Sequence, residues 1–316
     1  MTEMKEHTIR LKAMDVHDVM GLTAHVDFHK DLTNMIGMIA AGRSRLFKCF
    51  YEARASACSA SNAISDRIYK GVKAGSRIST VLSYDDIDVI YVMSYGEREV
   101  PDLKTDDDKE TVKWMSWEWH VCNENGEMVA VVLEDTPTVD DKIGQMIYDC
   151  RLWLNHNVVM DINECLEHMS GLPYGILGSI LGVRDESDIS ENIGKTIPWL
   201  SVFTREDDLL FWLDDMTDNL HTLVVRRFAE GMGSRARKSR CQFIMSSRDV
   251  DAMVDTYPCW FFLSGHAVRI SDGIRDREEM YAFAKEGNRW SCWKNVLTHE
   301  PERVRDDVIN KLKEVR

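Results

Sequence analysis

Ala74-Gly75-Ser76-Arg77-Ile78-Ser79-Thr80-Val81-Leu82-Ser83-Tyr84-Asp85-Asp86-Ile87-Asp88-Val89-Ile90-Tyr91-Val92 sets a small-residue turn nine residues ahead of an acid–apolar–acid step. Alternate side chains of a strand share a face, so a strand here presents Asp86 and Asp88 together and sends Ile87 and Val89 to the other side. Two carboxylates on one strand edge suit a hard divalent cation. Gly75 lets the backbone approach a ligand closely, and the amides of such a turn can take up phosphate. The residues thus predict a metal–nucleotide site. The plainer alternative makes the three aspartates turn and strand-edge polar groups, with Gly75-Ser76 an ordinary cap.

Downstream, Trp114-Met115-Ser116-Trp117-Glu118-Trp119-His120-Val121 and Met128-Val129-Ala130-Val131-Val132-Leu133 flank Asn123-Glu124-Asn125-Gly126-Glu127, which predicts a hairpin extending the same sheet. Thr138 is placed to cap a helix through about residue 154. Val158-Val159-Met160 then reads as a short buried strand presenting Asp161, with Glu134 and Asp135 as rivals for a third acid. Upstream, apolar residues from Leu32 to Phe50 recur at helical spacing and predict one long helix over residues 32–56, interrupted in pattern by Gly37 and Gly42. His25 and His29, with Asp27 between them, have the spacing of a helical zinc pair, but short motifs of this kind are commonly surface chemistry. Beyond the breaker-rich Gly171-Leu172-Pro173-Tyr174-Gly175, the pattern reads as helices over residues 207–227, 248–257, 276–284 and 303–315. The predicted organisation is α+β: a catalytic core over residues 1–170 and a mainly helical lobe over residues 171–316.

The 316 residues are 44% hydrophobic and 29% charged, the balance of a globular protein with room for a sizeable core. No apolar run is long enough to span a bilayer and the N-terminus lacks the plan of a secretion signal, so a cytoplasmic location without membrane attachment is expected. Eight cysteines without a C-x-x-C pair read as reduced thiols. A net charge of −14 opposes broad nucleic-acid binding, leaving one basic patch around Arg235, Arg237, Lys238 and Arg240.

Gly75-Ser76, nine residues, then Asp86-Ile87-Asp88-Val89 resembles the signature of the polymerase β-like nucleotidyltransferase superfamily. The run from Val158 to Glu167 is similar to the third-acid strand of cyclic GMP-AMP synthase and its bacterial relatives. The resemblance implies a bilobal nucleotidyltransferase fold, with a long N-terminal helix, a mixed catalytic sheet and a helical C-terminal lobe. It also implies that Asp86, Asp88 and Asp161 hold two Mg²⁺ (or Mn²⁺) ions, and that Gly75, Ser76, Arg235, Arg237 and Lys238 bind the phosphates of nucleoside triphosphates such as ATP and GTP. The implied activity is synthesis of a cyclic or linear oligonucleotide second messenger with release of pyrophosphate, in innate-immune signalling, with a nucleic acid as possible activator. The runner-up is a catalytically inactive module of the same fold or a viral structural protein.

Overall fold

The computed structural model describes residues 7–37, 41–59, 64–101, 109–123, 125–133, 141–160, 208–214, 222–247, 257–263 and 265–270. Its first three elements are strands: β1 (Ile9–Val19), β2 (Leu22–Asp27) and β3 (Leu32–Gly37). Helices α1 (Arg43–Ser59) and α2 (Asp66–Tyr69) follow, then β4 (Arg77–Tyr84), β5 (Ile87–Pro101), β6 (Lys109–Cys122) and β7 (Met128–Leu133). After α3 (Asp141–His156) come β8 (Val158–Val159), β9 (Leu210–Leu213), α4 (Thr222–Ala236), β10 (Gln242–Ser247), β11 (Cys259–Leu263) and β12 (His266–Ile270).

These strands form two six-stranded sheets, ordered β2-β1-β4-β5-β6-β7 and β12-β11-β3-β10-β9-β8. Every pairing in the first is antiparallel. In the second, β8, β9, β10, β3 and β11 run parallel and only the edge strand β12 is antiparallel. A parallel strand is covered on both faces and therefore reads as a continuous apolar run rather than an alternation. Leu210-Phe211-Trp212-Leu213 is such a run, buried at all four positions, and β3 and β10 are buried throughout.

One face of the parallel sheet contributes Met35, Leu210, Trp212, Ile244 and Phe262 to the main core, together with α1 and the antiparallel sheet. The other contributes Leu32, Phe211, Leu213, Phe243 and Met245 to a second cluster with Ala229, Met232 and Ala236 of α4. Trp212 anchors the first face: it stacks on Phe50 of α1 with ring centroids 5.0 Å apart and meets Phe28 and Phe47 edge-on.

Three expectations are corrected. No long N-terminal helix spans residues 32–56, because the stretch divides at Gly37 and Gly42 into strand β3 and helix α1. Residues 207–227 are not one helix, since 210–213 form β9 ahead of α4. Among the described residues after 170, four strands and a single helix replace the mainly helical lobe, so the bilobal nucleotidyltransferase architecture does not hold. The hairpin over residues 114–133, the strand carrying Asp88 and the helix ending near residue 154 do form. The helices expected over residues 276–284 and 303–315 lie outside the described residues.

Candidate functional site

Asp86 lies exposed in the tight β4–β5 turn, next to Asp85 in the left-handed region at φ 52°. Asp85 accepts from the Thr8 backbone N–H at 3.0 Å and meets His7 at 2.8 Å, which fastens the N-terminal approach to this turn. Asp88 stands on β5, where Lys12 Nζ donates to both of its carboxylate oxygens at 2.8 and 2.7 Å. Asp161, Glu134 and Asp135 lie outside the described residues. Among the described residues, no group of three or more His, Cys, Asp or Glu side chains is placed to hold a metal ion.

Gly75 is exposed at φ 85° and does adopt the left-handed turn that favours glycine. Ser76 is buried, its hydroxyl donating to the Asp18 carbonyl at 2.6 Å and accepting from the Lys73 N–H at 3.0 Å, so it ties the β1–β2 turn to the approach of β4. Arg237 donates to the Tyr257 hydroxyl and lies over its ring at 5.6 Å, while Lys238 is exposed and Arg235 half-buried at the end of α4. His25 belongs to a strand, not a helix: it bridges Asp15 at 2.6 Å and Asp27 at 3.1 Å.

A different constellation lies at the carboxyl end of the parallel sheet, where an open α/β sheet takes its ligands. Central strand β3 ends at Gly37, and Met38-Ile39-Ala40-Ala41-Gly42 leads into α1 at Arg43-Ser44. Gly37 to Ser44 therefore has the form G-x-x-x-x-G-[basic]-S between a strand and a helix. That spacing resembles the P-loop motif, with arginine in the lysine position. Gly42 takes φ 133°, and a Cβ there would lie 3.1 Å from Leu22 and 3.3 Å from Phe262. The Ala41 carbonyl accepts from the Gly265 N–H at 2.8 Å, and the Gly265 carbonyl from the Thr23 N–H at 2.9 Å, so the loop's end is anchored to the β11–β12 turn and to β2. The Gly42 carbonyl accepts from Arg45 and Leu46 and opens the helix. The first amides of a helix point outward with a partial positive charge, which favours an anion.

Strand β10 lies between β3 and β9 in the same direction. Asp214 follows the last residue of β9, and Ser246, fully buried near the end of β10, donates to Asp214 Oδ1 at 2.6 Å. Two glycines on either side of the β3–α1 connection, a basic residue and a hydroxyl at the start of α1, and an oriented carboxylate just past β9 thus stand at one end of the sheet. The sequence carried this signal in Gly37, Gly42 and Ser44. It was hidden because the loop's third to fifth residues are apolar and continue the helical periodicity, and because the lysine that marks the motif is Arg43.

No family model matches the chain, and no curated protein matches it. Solved structures similar to it include the SMC head domain from Thermotoga maritima, with TM-score 0.46, 13% identity, and coverage of 83% of this chain and 98% of that one. They also include cbiO1 from Clostridium perfringens, part of an ABC transporter complex (TM-score 0.40, 11% identity, coverage 94% and 97%). The recombination mediator protein RecF with ATP is a third (TM-score 0.40, 10% identity, coverage 86% and 100%). The two-sheet architecture, with four strands and a single helix among the described residues after 170, overturns the resemblance to cyclic GMP-AMP synthase and the second-messenger and innate-immune roles it implied. All three scores lie below 0.5.

Proposed function

We propose that the chain is a P-loop nucleotide-binding domain that takes a Mg²⁺-bound nucleoside triphosphate at the carboxyl end of its parallel sheet. The observation that carries this reading is the unit β3–Gly37…Gly42-Arg43-Ser44–α1 in the middle of that sheet, one strand away from β9 and Asp214. In such a unit the loop amides and the helix N-terminus cradle phosphate oxygens, and the basic residue at the Arg43 position engages the terminal phosphates.

Mg²⁺ fits the donors present: it prefers oxygen ligands and keeps several waters, and the Ser44 hydroxyl and Asp214 carboxylate are the oxygens this arrangement assigns to it. When bound, the ion neutralises charge on the phosphate oxygens. Ser246 fixes which way the Asp214 carboxylate faces before any ligand arrives. Arg43, always charged, brings a positive residue to the first position of α1.

Thermal unfolding of the full chain tests this. A ligand held at 100 times its dissociation constant stabilises by about 2.7 kcal/mol, so Mg²⁺ with ATP is expected to raise the transition midpoint measurably. The same ATP with chelator, or Mg²⁺ with an Asp214→Asn variant, is expected to give a smaller shift. No shift at millimolar Mg²⁺–ATP with GTP, CTP and UTP equally silent would remove the proposal.

A further inference from the structure

Strand β7 ends the antiparallel sheet, and among the described residues no strand pairs with its outer side. Such an edge offers a row of backbone N–H and C=O groups to another chain, and proteins blunt it with lysine, proline, a bulge or a covering loop. The sheet's other edge is covered: on β2 the Thr23 N–H donates to the Gly265 carbonyl at 2.9 Å, and the Asp27 carbonyl accepts from the Trp260 ring N–H at 2.9 Å. β7 has neither lysine nor proline. Its register shifts only near its start, and Ala130, Val131, Val132 and Leu133 stand in regular pairing opposite Val121, His120, Trp119 and Glu118.

Both faces of this edge are apolar. Ala130 and Val132 lie partly buried against the main core, while Val131 and Leu133 on the opposite face are 45% and 54% exposed. A strand added here therefore meets apolar cross-strand neighbours on both sides of the sheet. The ends of the edge are acidic: Glu127 is exposed at the entry to β7, Glu118 stands opposite Leu133, and Glu134-Asp135 come next in the sequence. No Lys or Arg occurs from Trp114 to Asp141. A second copy laid antiparallel on β7 would set these acids against their own kind, whereas a strand with basic ends meets them with opposite charge.

We propose that β7 is an acceptor edge for strand addition, taking an extended segment of another protein that is apolar in its middle and carries Lys or Arg at both ends. Main-chain hydrogen bonds to Ala130 through Leu133 hold the segment, the exposed Val131 and Leu133 receive its alternate side chains, and the acids at either end select its charge.

Full-length wild type would be titrated with a labelled synthetic peptide of alternating valine and isoleucine with a lysine pair at each end. The same peptide with glutamate pairs, and one with prolines in its middle, serve as controls. Hydrogen–deuterium exchange locates the site. The lysine-ended peptide is expected to bind saturably, at least ten-fold more tightly than either control, and to slow amide exchange over residues 128–133. Val131→Lys, a change at an exposed position that puts a like charge on the edge, is expected to weaken binding at least ten-fold; Val129→Lys replaces it should that variant not fold. Absence of saturable binding, equal binding of the glutamate-ended peptide, unchanged affinity in the variant, or binding without slowed exchange in β7 overturns the inference. A wild-type dimer in sedimentation that Val131→Lys dissociates also overturns it, by assigning the edge to a second copy.

Discussion

Arg10 on β1 and Asp208 just ahead of β9 form an ion pair across the seam between the two sheets, with side chains 16% and 12% exposed. Burial raises the Asp208 pKa against the opposing pull of Arg10, its hydrogen bonds and Arg240. Removing one partner of such a pair leaves the other as a buried uncompensated charge, at a cost of about 3–5 kcal/mol. Asp208→Ala is therefore expected to lower denaturant stability by that order, while Arg10→Met with Asp208→Leu costs much less, as equilibrium unfolding of the three variants would show. His25 gives a pH-dependent test. Burial alone would lower its pKa, but the hydrogen bond and charge of Asp15, followed by Asp27, outweigh it and the net shift is upward. A raised folded-state pKa means that its contribution to stability is full below the unfolded value of about 6.5 and is lost as pH rises through the folded midpoint. Imidazole resonances of His25 are expected to titrate above that value, and Asp15→Asn to bring the midpoint down. At this scale the sequence disclosed little of the candidate site. Asp88 stands on β5, but Asp86 falls in the turn before it and does not share that strand, and Lys12 from a different strand reaches Asp88; nothing in the local spacing announces a partner 76 positions away.

Among the elements, the β3–α1 junction shows both what periodicity reveals and where it misleads. Leu32, Met35, Ile36, Ile39, Leu46 and Phe50 keep helical spacing across a boundary because a strand buried on both faces has no alternation to contradict it. The two glycines were the local evidence of a break. A Cβ on Gly37 would come within 2.7 Å of the Phe262 carbonyl oxygen on β11, and Gly42 needs a backbone conformation that other residues rarely adopt. Gly42→Ala is expected to cost about 1–3 kcal/mol through backbone strain and to weaken nucleotide binding as well. Chemical denaturation and ligand titration of that variant check both effects, and unchanged values in both would contradict the assigned loop conformation. The turn of the β6–β7 hairpin, by contrast, was legible, since an Asn-Gly turn between alternating strands is a local signal that needs no distant partner, although β6 begins at Lys109, ahead of the strand read from Trp114.

For the whole molecule, the order β11-β3-β10-β9-β8 could not be read from the chain, because parallel neighbours such as Asn34 on β3 and Cys259 on β11 are brought together from far-separated parts of the sequence. Gln242 shows how the two sheets are joined: its side chain accepts from the Leu11 N–H at 3.0 Å and donates to the Leu11 and His29 carbonyls at 2.8 and 3.0 Å. β10, which also carries Ser246, is thereby tied to β1 at its other end. This arrangement puts the β3–α1 junction, the proposed phosphate site, in the middle of the parallel sheet. The most direct test is a calorimetric titration of the full chain with Mg²⁺–ATP. One saturable site is predicted for wild type, weakened at least ten-fold in a folded Arg43→Ala variant. Absence of saturable binding to wild type, or equal affinity in that variant, would contradict it.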